Sequence, residues 1–205
     1  GDEATNWLDR LELLTPIVKA YSTDKGFRVC ETGMQIHGGY GYCQEFPMEQ
    51  FLRDVKIGSI YEGTNGIQAM DLLVRKLSMK GGNVLMGFLG EIGKVVKENA
   101  EGPLQAEAAI VKKGVDIFGD VAMHLMGEFQ AGKLEQTLLN ATAVLDLMGD
   151  LTLGWLLLWQ AGIAQKQLDE AAPGAQGADL EAACEKSESV AFYAGKVATA
   201  KFFIN

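Results

Sequence analysis

The stretch IYEGTNGIQ (Ile60–Gln68) places a carboxylate, Glu62, between an aromatic residue and a glycine, just ahead of a predicted helix start. A carboxylate buried among apolar groups such as Ile60 and Tyr61 is a better general base near neutral pH than an exposed one. Backbone N–H groups at a helix start point outward and can donate to a developing oxyanion. The pattern therefore suggests a base beside an oxyanion donor. The alternative is structural, with Glu62 accepting hydrogen bonds from that helix.

A second candidate is the glycine-rich stretch QIHGGYGY (Gln35–Tyr42). Glycines let backbone N–H groups approach an anion closely, and such arrangements hold phosphates. The spacing differs from G-x-G-x-x-G, and no predicted strand precedes it, so a dinucleotide-binding βαβ unit is excluded. Taken alone, the stretch also fits a turn that ends a helix.

Cysteine and histidine do not form a recognisable site. The three cysteines, Cys30, Cys43 and Cys184, are scattered, and the two histidines, His37 and His124, lie far apart in sequence. Neither a zinc pattern nor a disulfide framework results, so we predict no metal site. Unpaired cysteines fit a reducing compartment best, which predicts a cytoplasmic location.

Charge and hydropathy exclude two classes of partner. The net charge of −9 argues against nucleic acid and against an anionic membrane surface. The most apolar run, Leu151–Ala164, is too short to span a bilayer and is flanked by Asp150 and Gln165. It predicts a buried core helix and no membrane span.

Helices must position these residues, because no stretch alternates apolar and polar residues long enough to indicate a strand. The sequence predicts an all-α fold, an antiparallel helical bundle. Thr15–Pro16 predicts a helix start, with a helix running to Ile36 and a short helix over about Pro47–Asp54. Asn65, with Gln68 three residues on, resembles a capping box for the next helix.

The second half predicts four helices, near 83–98, 105–130, 133–170 and 179–203. Their apolar residues recur at steps of three and four, which places them on buried faces. The predicted buried residues are Val111, Val115, Phe118, Ala122, Leu125 and Phe129; Leu138, Ala141, Leu145, Met148, Thr152, Trp155 and Trp159; and Leu180, Cys184, Ala191, Ala194, Ala198 and Phe202.

The composite stretch Met34–Leu77 closely resembles the signature of the acyl-CoA dehydrogenase family. Gln-Ile-x-Gly-Gly-x-Gly is followed by a Pro-x-Glu helix, then Leu-Arg-Asp, then Ile-Tyr-Glu-Gly-Thr. Residues 82–205 resemble the extra helical C-terminal region of the acetyl-CoA-dehydrogenase-like and methylmercaptopropionyl-CoA-dehydrogenase-like subgroup. GDLTLGWLLLWQA and AFYAGKVATAKFF carry this less specific part.

The resemblance implies an FAD-dependent oxidation of acyl-CoA to trans-2-enoyl-CoA. Glu62 falls on the position of the base that removes the proton alpha to the thioester. Its backbone N–H would bind the thioester carbonyl together with a flavin ribityl hydroxyl. Tyr61 would line the acyl or flavin pocket, and Gly63 would leave room for the thioester.

The resemblance also implies cofactor contacts and partners. Gln35, Gly38 and Gly39 match positions that hold the FAD pyrophosphate and adenosine, commonly from a neighbouring subunit. Thr64 matches a residue that bonds FAD near the pyrophosphate. Electron-transfer flavoprotein is the family's usual electron acceptor, and members form homo-oligomers through this helical region.

The resemblance covers nearly all of this chain, but the chain corresponds only to the C-terminal part of such an enzyme. We expect residues 1–80 to end the family's C-terminal helical domain and residues 81–205 to form an additional helical bundle. FAD is not expected to bind tightly to this part alone, which should be inactive, with Glu62 at an exposed or partly open edge. The alternative is a helical interaction module that kept the scaffold without the chemistry.

Overall fold

The computed structural model describes residues 2–205, among which no strand occurs, so the all-α prediction is confirmed. The α-helices are α1 (Asp2–Pro16), α2 (Ser22–Ile36), α3 (Met48–Lys56), α4 (Asn65–Asp71), α5 (Asn83–Glu98), α6 (Gln105–Gln130), α7 (Leu134–Leu138), α8 (Ala141–Ala171), α9 (Gly177–Lys186) and α10 (Glu188–Ile204). Two π turns, Ile17–Tyr21 and Leu72–Lys76, adjoin α1 and α4. Short 3₁₀ segments cover Gly38–Tyr42, Ile57–Ser59 and Met79–Gly82.

The chain divides into two compact units. Unit 1 contains the residues up to Gly87 together with Ala122–Gly149, and unit 2 contains Phe88–Val121 with Asp150–Asn205. The boundary after residue 80, drawn from the sequence, stays a prediction.

The predicted helix start at Thr15–Pro16 is wrong, because α1 begins at Asp2 and continues through the first π turn into α2. Proline has no N–H and its ring crowds the preceding turn, so it distorts a helix interior. A π turn follows Pro16 at once, and proline and π turns are both common sites of helix distortion. Thr15 does not cap a helix here, since its hydroxyl donates to the carbonyl of Leu11 (2.7 Å).

Unit 1 is built around the junction of α1, α2 and α4. Its core includes Leu13, Ile17 and Tyr21 from the first helical stretch, with Leu72 and Leu77 from the end of α4 onward. Burial of such side chains stabilises the fold by roughly 1.5–3 kcal/mol each. Helix α1 and the first π turn pack against α4 and the second π turn.

Unit 2 packs α5, α6 and α10 around the second half of α8. The ring of Phe88 meets Trp155 edge-on with centroids 5.5 Å apart, and Gly154 lies close to Val111 and Phe203. Leu158 and Ala161 of α8 are fully buried. These contacts are those of a helical bundle.

Helix α8 is long and apolar enough to cross a membrane by length and composition. The core helix of a soluble protein passes the same test, and several α8 side chains, Met148 and Leu158 among them, are fully buried inside the protein. The structure thus gives no strong indication of a membrane span.

The predicted helix 133–170 is broken, because α7 ends at Leu138 and α8 begins at Ala141. Side chains there compete with the backbone hydrogen bonds of the helix. Thr137 donates to the carbonyl of Lys133 (2.9 Å), and Asn140 donates to that of Gln136 (3.1 Å). The buried faces predicted for α6 and α8 hold in large part. Phe129 and Trp159 are exceptions, at 43% and 47% exposed.

The predicted buried face of the last helix is wrong. Ser187 separates α9 from α10 with extended backbone, and its hydroxyl accepts from the N–H of Val190. This break shifts the phase of the helix, so Val190, Val197 and Ala200 are buried. Phe202, predicted to be buried, is 90% exposed, and Ala191 and Ala198 are exposed too.

We expect Gly149→Ala to destabilise the protein by about 1–3 kcal/mol, the usual cost of overpacking. A Cβ at Gly149 would overlap the ring of Tyr21, and both residues are buried. Unfolding in urea measures the change. Gly119→Ala is the control, because its Cβ would meet nothing within 4 Å and alanine favours a helix interior. Equal stability of the two variants would contradict the packing described.

Candidate active site

Glu62 stands in a left-handed turn, which few non-glycine residues adopt. Its φ is 56°, and Gly63 follows with a φ of 80°. A non-glycine residue in this region costs roughly 1–3 kcal/mol and persists only where its surroundings hold it. Such strain is often found at functional sites, and Lys80, with a φ of 50°, is the other described non-glycine residue in this conformation.

The turn leads directly into α4, and Thr64 is the residue that caps it. The N–H of Ile67 donates to Thr64 Oγ1 (3.3 Å), so the cap lies one residue before the predicted Asn65. Gln68 does not complete a capping box. Its Nε2 donates to the carbonyl of Glu62 instead (3.0 Å).

Two partners that the sequence did not predict hold the other side of the turn. Lys19 Nζ donates to the carbonyl of Gly63 and to Asn65 Oδ1 (2.8 Å). Asn65 Nδ2 in turn donates to the carbonyl of Ala20 (3.2 Å). No local pattern signals these bonds, because 44 residues separate Lys19 from Gly63.

The carboxylate of Glu62 faces open space within this chain. Glu62 is exposed, and the ring of Tyr61 is 53% exposed. The neighbouring residues Ile60 and Tyr61 are themselves about half exposed and do not bury this carboxylate.

The glycine motif ends α2 and forms an exposed turn. Gly38 has a φ of 61°, and Gly39 has open space where a Cβ would stand. Gln35, in the last turn of α2, is exposed as well. Backbone free of side chains in this way fits the approach of a phosphate group. Gly41 differs, because a Cβ there would overlap the carbonyl of Met34.

The structure separates the two motifs. The turn at Glu62 is bonded to Lys19 and Ala20, ahead of the first turn of α2, whereas Gly38 and Gly39 follow the last turn. Helix α2 has 15 residues, which makes it about 22 Å long at 1.5 Å per residue. Glu62 and the glycines thus occupy opposite ends of one helix and do not share one small pocket.

Helix α3 carries the Pro-x-Glu and Leu-Arg-Asp parts of the composite stretch. Arg53 Nε donates to Glu49 Oε2 (2.9 Å), and this hydrogen bond lowers the pKa of Glu49 and raises that of Arg53. The pair lies one helical turn apart on α3. It ties successive turns of the helix and does not contact the Glu62 turn.

Two known protein families together match most of the chain. Residues 4–77 match the family described as "Acyl-CoA dehydrogenase, C-terminal domain". Residues 88–205 match the family described as "Acetyl-CoA dehydrogenase C-terminal like".

Three curated relatives illustrate the similarity. The chain is 34% identical over 198 residues to the Broad-specificity linear acyl-CoA dehydrogenase FadE5 of Mycobacterium tuberculosis, covering 94% of this chain and 30% of that protein. It is 34% identical over 195 residues to the 3-methylmercaptopropionyl-CoA dehydrogenase of Ruegeria pomeroyi, with 94% and 30% covered. A Butyryl-CoA dehydrogenase of Syntrophomonas wolfei is 30% identical over 197 residues, with 96% and 30% covered. The chain thus spans about 30% of the length of these relatives.

Proposed function

Because this chain belongs to the acyl-CoA dehydrogenase family, we propose that it is the C-terminal part of an FAD-dependent enzyme that oxidises acyl-CoA to trans-2-enoyl-CoA. The observation that carries the proposal is the strained turn at Glu62. A carboxylate stands there on left-handed backbone, in the sequence context that the family's base occupies. The strain needs an explanation, and a base held at a fixed point supplies one.

In this mechanism Glu62 takes the proton from the carbon alpha to the thioester, and the electron pair of that C–H bond forms the new C=C bond. The backbone N–H of Glu62 donates to the thioester oxygen, where negative charge develops. Gly63 leaves room for the thioester, and Tyr61 lines the pocket. FAD, when bound, supplies the acceptor for the hydride that leaves the beta carbon.

Residues of this chain fit part of a flavin site. Gly38 and Gly39 form the side-chain-free turn that a pyrophosphate could approach, with Gln35 beside them. Thr64 lies at the other end of α2, and its hydroxyl already accepts from the N–H of Ile67. The separation of the two motifs suits contacts to two different FAD molecules in an oligomer. This chain alone would hold FAD weakly and would be inactive.

Apolar side chains exposed on α1 and α2 indicate a surface that contacts other protein. Trp7, Val29 and Ile36, on α1 and α2 of unit 1, are 60%, 70% and 79% exposed. Apolar surface of this kind usually finds a partner, and we propose that other parts of the enzyme and a second copy cover it. Electron-transfer flavoprotein is proposed as the electron acceptor, and the cytoplasm as the location.

Anaerobic mixing of the whole FAD-loaded enzyme with acyl-CoA tests the function. Butyryl-CoA and 3-methylmercaptopropionyl-CoA are the first substrates to try, because relatives carry those names. Bleaching of the flavin with formation of one enoyl-CoA per flavin supports the proposal. An FAD-loaded protein whose flavin no acyl-CoA bleaches would contradict it and favour the interaction module.

Gly39→Ala is expected to raise the dissociation constant for FAD about tenfold or more, which corresponds to about 1.4 kcal/mol. A Cβ there meets no protein atom within 4 Å, so a methyl group intrudes only on a ligand. Fluorescence titration of the apoenzyme with FAD measures the change, and the unfolding midpoint should not move. Unchanged FAD affinity would reduce the motif to a turn that ends a helix.

A further inference from the structure

Both carbonyls of the Glu62–Gly63 turn accept hydrogen bonds from side chains. The carbonyl of Gly63 accepts from Lys19 Nζ on one side, and that of Glu62 accepts from Gln68 Nε2 on the other. The donor of the first bond is the charged ammonium of Lys19, and charge-assisted hydrogen bonds are stronger than neutral ones. The backbone of the turn is therefore held at two successive peptide groups.

The first π turn (Ile17–Tyr21) brings Lys19 to this position. Lys19 is its central residue, and the neighbouring carbonyl of Ala20 accepts from Asn65 at the start of α4. The hydroxyl of Thr23 also lies within hydrogen-bond distance of Asn65 (3.0 Å to Nδ2). Single π turns inside helices are frequently found at functional sites. Here the turn joins the α1–α2 stretch to the segment that carries Glu62.

A hydrogen bond that fixes the direction of a carbonyl also fixes the direction of the N–H group in the same peptide plane. In a trans peptide the N–H points opposite to the C=O of the same plane. The bond to Glu62 O therefore fixes the direction of the Gly63 N–H, and the bond to Gly63 O fixes that of the Thr64 N–H. Together they keep Glu62 in its left-handed conformation, and so fix where its side chain leaves the backbone.

We propose that Lys19 is a positioning residue that holds the backbone of the turn, and with it the side chain of Glu62, in the arrangement that proton removal requires. The inference rests on the proposed function, since it assigns to Glu62 the role of base. Lys19 itself does not touch the substrate in this account. It acts through the carbonyl of Gly63 and through Asn65.

Lys19→Met in the whole FAD-loaded enzyme tests the proposal, because methionine keeps the side-chain bulk and removes the ammonium. The rate constant of flavin reduction at saturating butyryl-CoA should fall about tenfold to a hundredfold, as expected for the loss of a charged hydrogen bond. The dissociation constant for butyryl-CoA should change less than about threefold, because the arrangement matters most in the transition state. Lys113→Met, at an exposed position of α6, is the matched control and should reduce its flavin normally.

Chemical rescue separates positioning from a general structural role. Lys19→Ala should be slow in the same assay, and propylammonium should restore at least part of the rate, while sodium at equal ionic strength should not. Lack of rescue would overturn the proposal. So would Lys19→Met at the normal rate, or a Lys19→Met protein that unfolds or loses its flavin, since such a lysine would serve the fold.

Glu62→Gln distinguishes failure of this inference from failure of the proposed function. If Glu62→Gln is slow and Lys19→Met is normal, the base assignment stands and the role of Lys19 falls. If Glu62→Gln itself reduces flavin at the normal rate, the proposed base is wrong and the inference falls with it.

Discussion

Glu62→Gln in the whole FAD-loaded enzyme should slow flavin reduction by acyl-CoA by about a hundredfold or more, the lower range for loss of a general base. The substitution keeps the shape of the side chain and removes only its capacity to accept a proton. Since Glu62 is exposed at a turn, the change costs no packing within this chain. Flavin content and the unfolding midpoint should therefore stay the same. Anaerobic stopped-flow absorbance of the flavin measures the rate.

The control for this prediction is Glu101→Gln, which removes one negative charge at an exposed position of unit 2. It should reduce its flavin at the wild-type rate. A Glu62→Gln enzyme with normal bleaching would assign the base to another residue. Glu62 would then serve only the turn that leads into α4, through its carbonyl.

Gly63→Ala should slow flavin reduction about as much as Glu62→Gln does, although it leaves the carboxylate in place. Alanine at a φ of 80° is strained by roughly 1–2 kcal/mol, and its Cβ would lie 3.1 Å from Gln68 Nε2. The turn should relieve both by rotating, which moves Glu62 and breaks the bond from Gln68. A displacement of about 1 Å at a reacting group can lower a rate a hundredfold. We expect that loss in flavin reduction, measured as above.

Gly66→Ala is the matched control for this effect. Gly66 lies in the first turn of α4, and the nearest atom to a Cβ there is Thr64 Oγ1 at 4.0 Å. Its rate should stay within about threefold of wild type, well under the effect of a misplaced reacting group. If Gly63→Ala reduced its flavin as fast as Gly66→Ala, neither the left-handed backbone nor the space beside Glu62 would matter to the chemistry.

Local patterns predicted most of the helices and the core residues they bury. Helices α5 and α6 begin and end where predicted, because their apolar residues recur regularly and Gly or Pro residues flank them. Errors occurred where backbone chemistry interrupts the period. Pro16 lies inside a helix, and a capping serine, Ser187, resets the phase of the last one. A single helical period could not represent either break.

The candidate site was predictable only in part, for a similar reason. Glu62, Gly63 and Thr64 lie next to one another in sequence, so a motif can identify them. Lys19 could not be found that way, because its bond to Gly63 spans 44 residues and depends on a π turn that no periodicity indicates. Assignment of Asn65 as the cap failed because Thr64 offers a hydroxyl one residue earlier.

Exchange of the alpha hydrogen of a bound acyl-CoA with solvent tests the central claim most directly. An analogue with sulfur in place of the beta carbon has no hydride to give, so proton removal can be observed by itself. Incubated in D₂O with the FAD-loaded enzyme and analysed by mass spectrometry, the analogue should gain deuterium at the alpha carbon with wild type. With Glu62→Gln the exchange should fall by about a hundredfold or more. Equal exchange by the two proteins would contradict the assignment of Glu62 as the base.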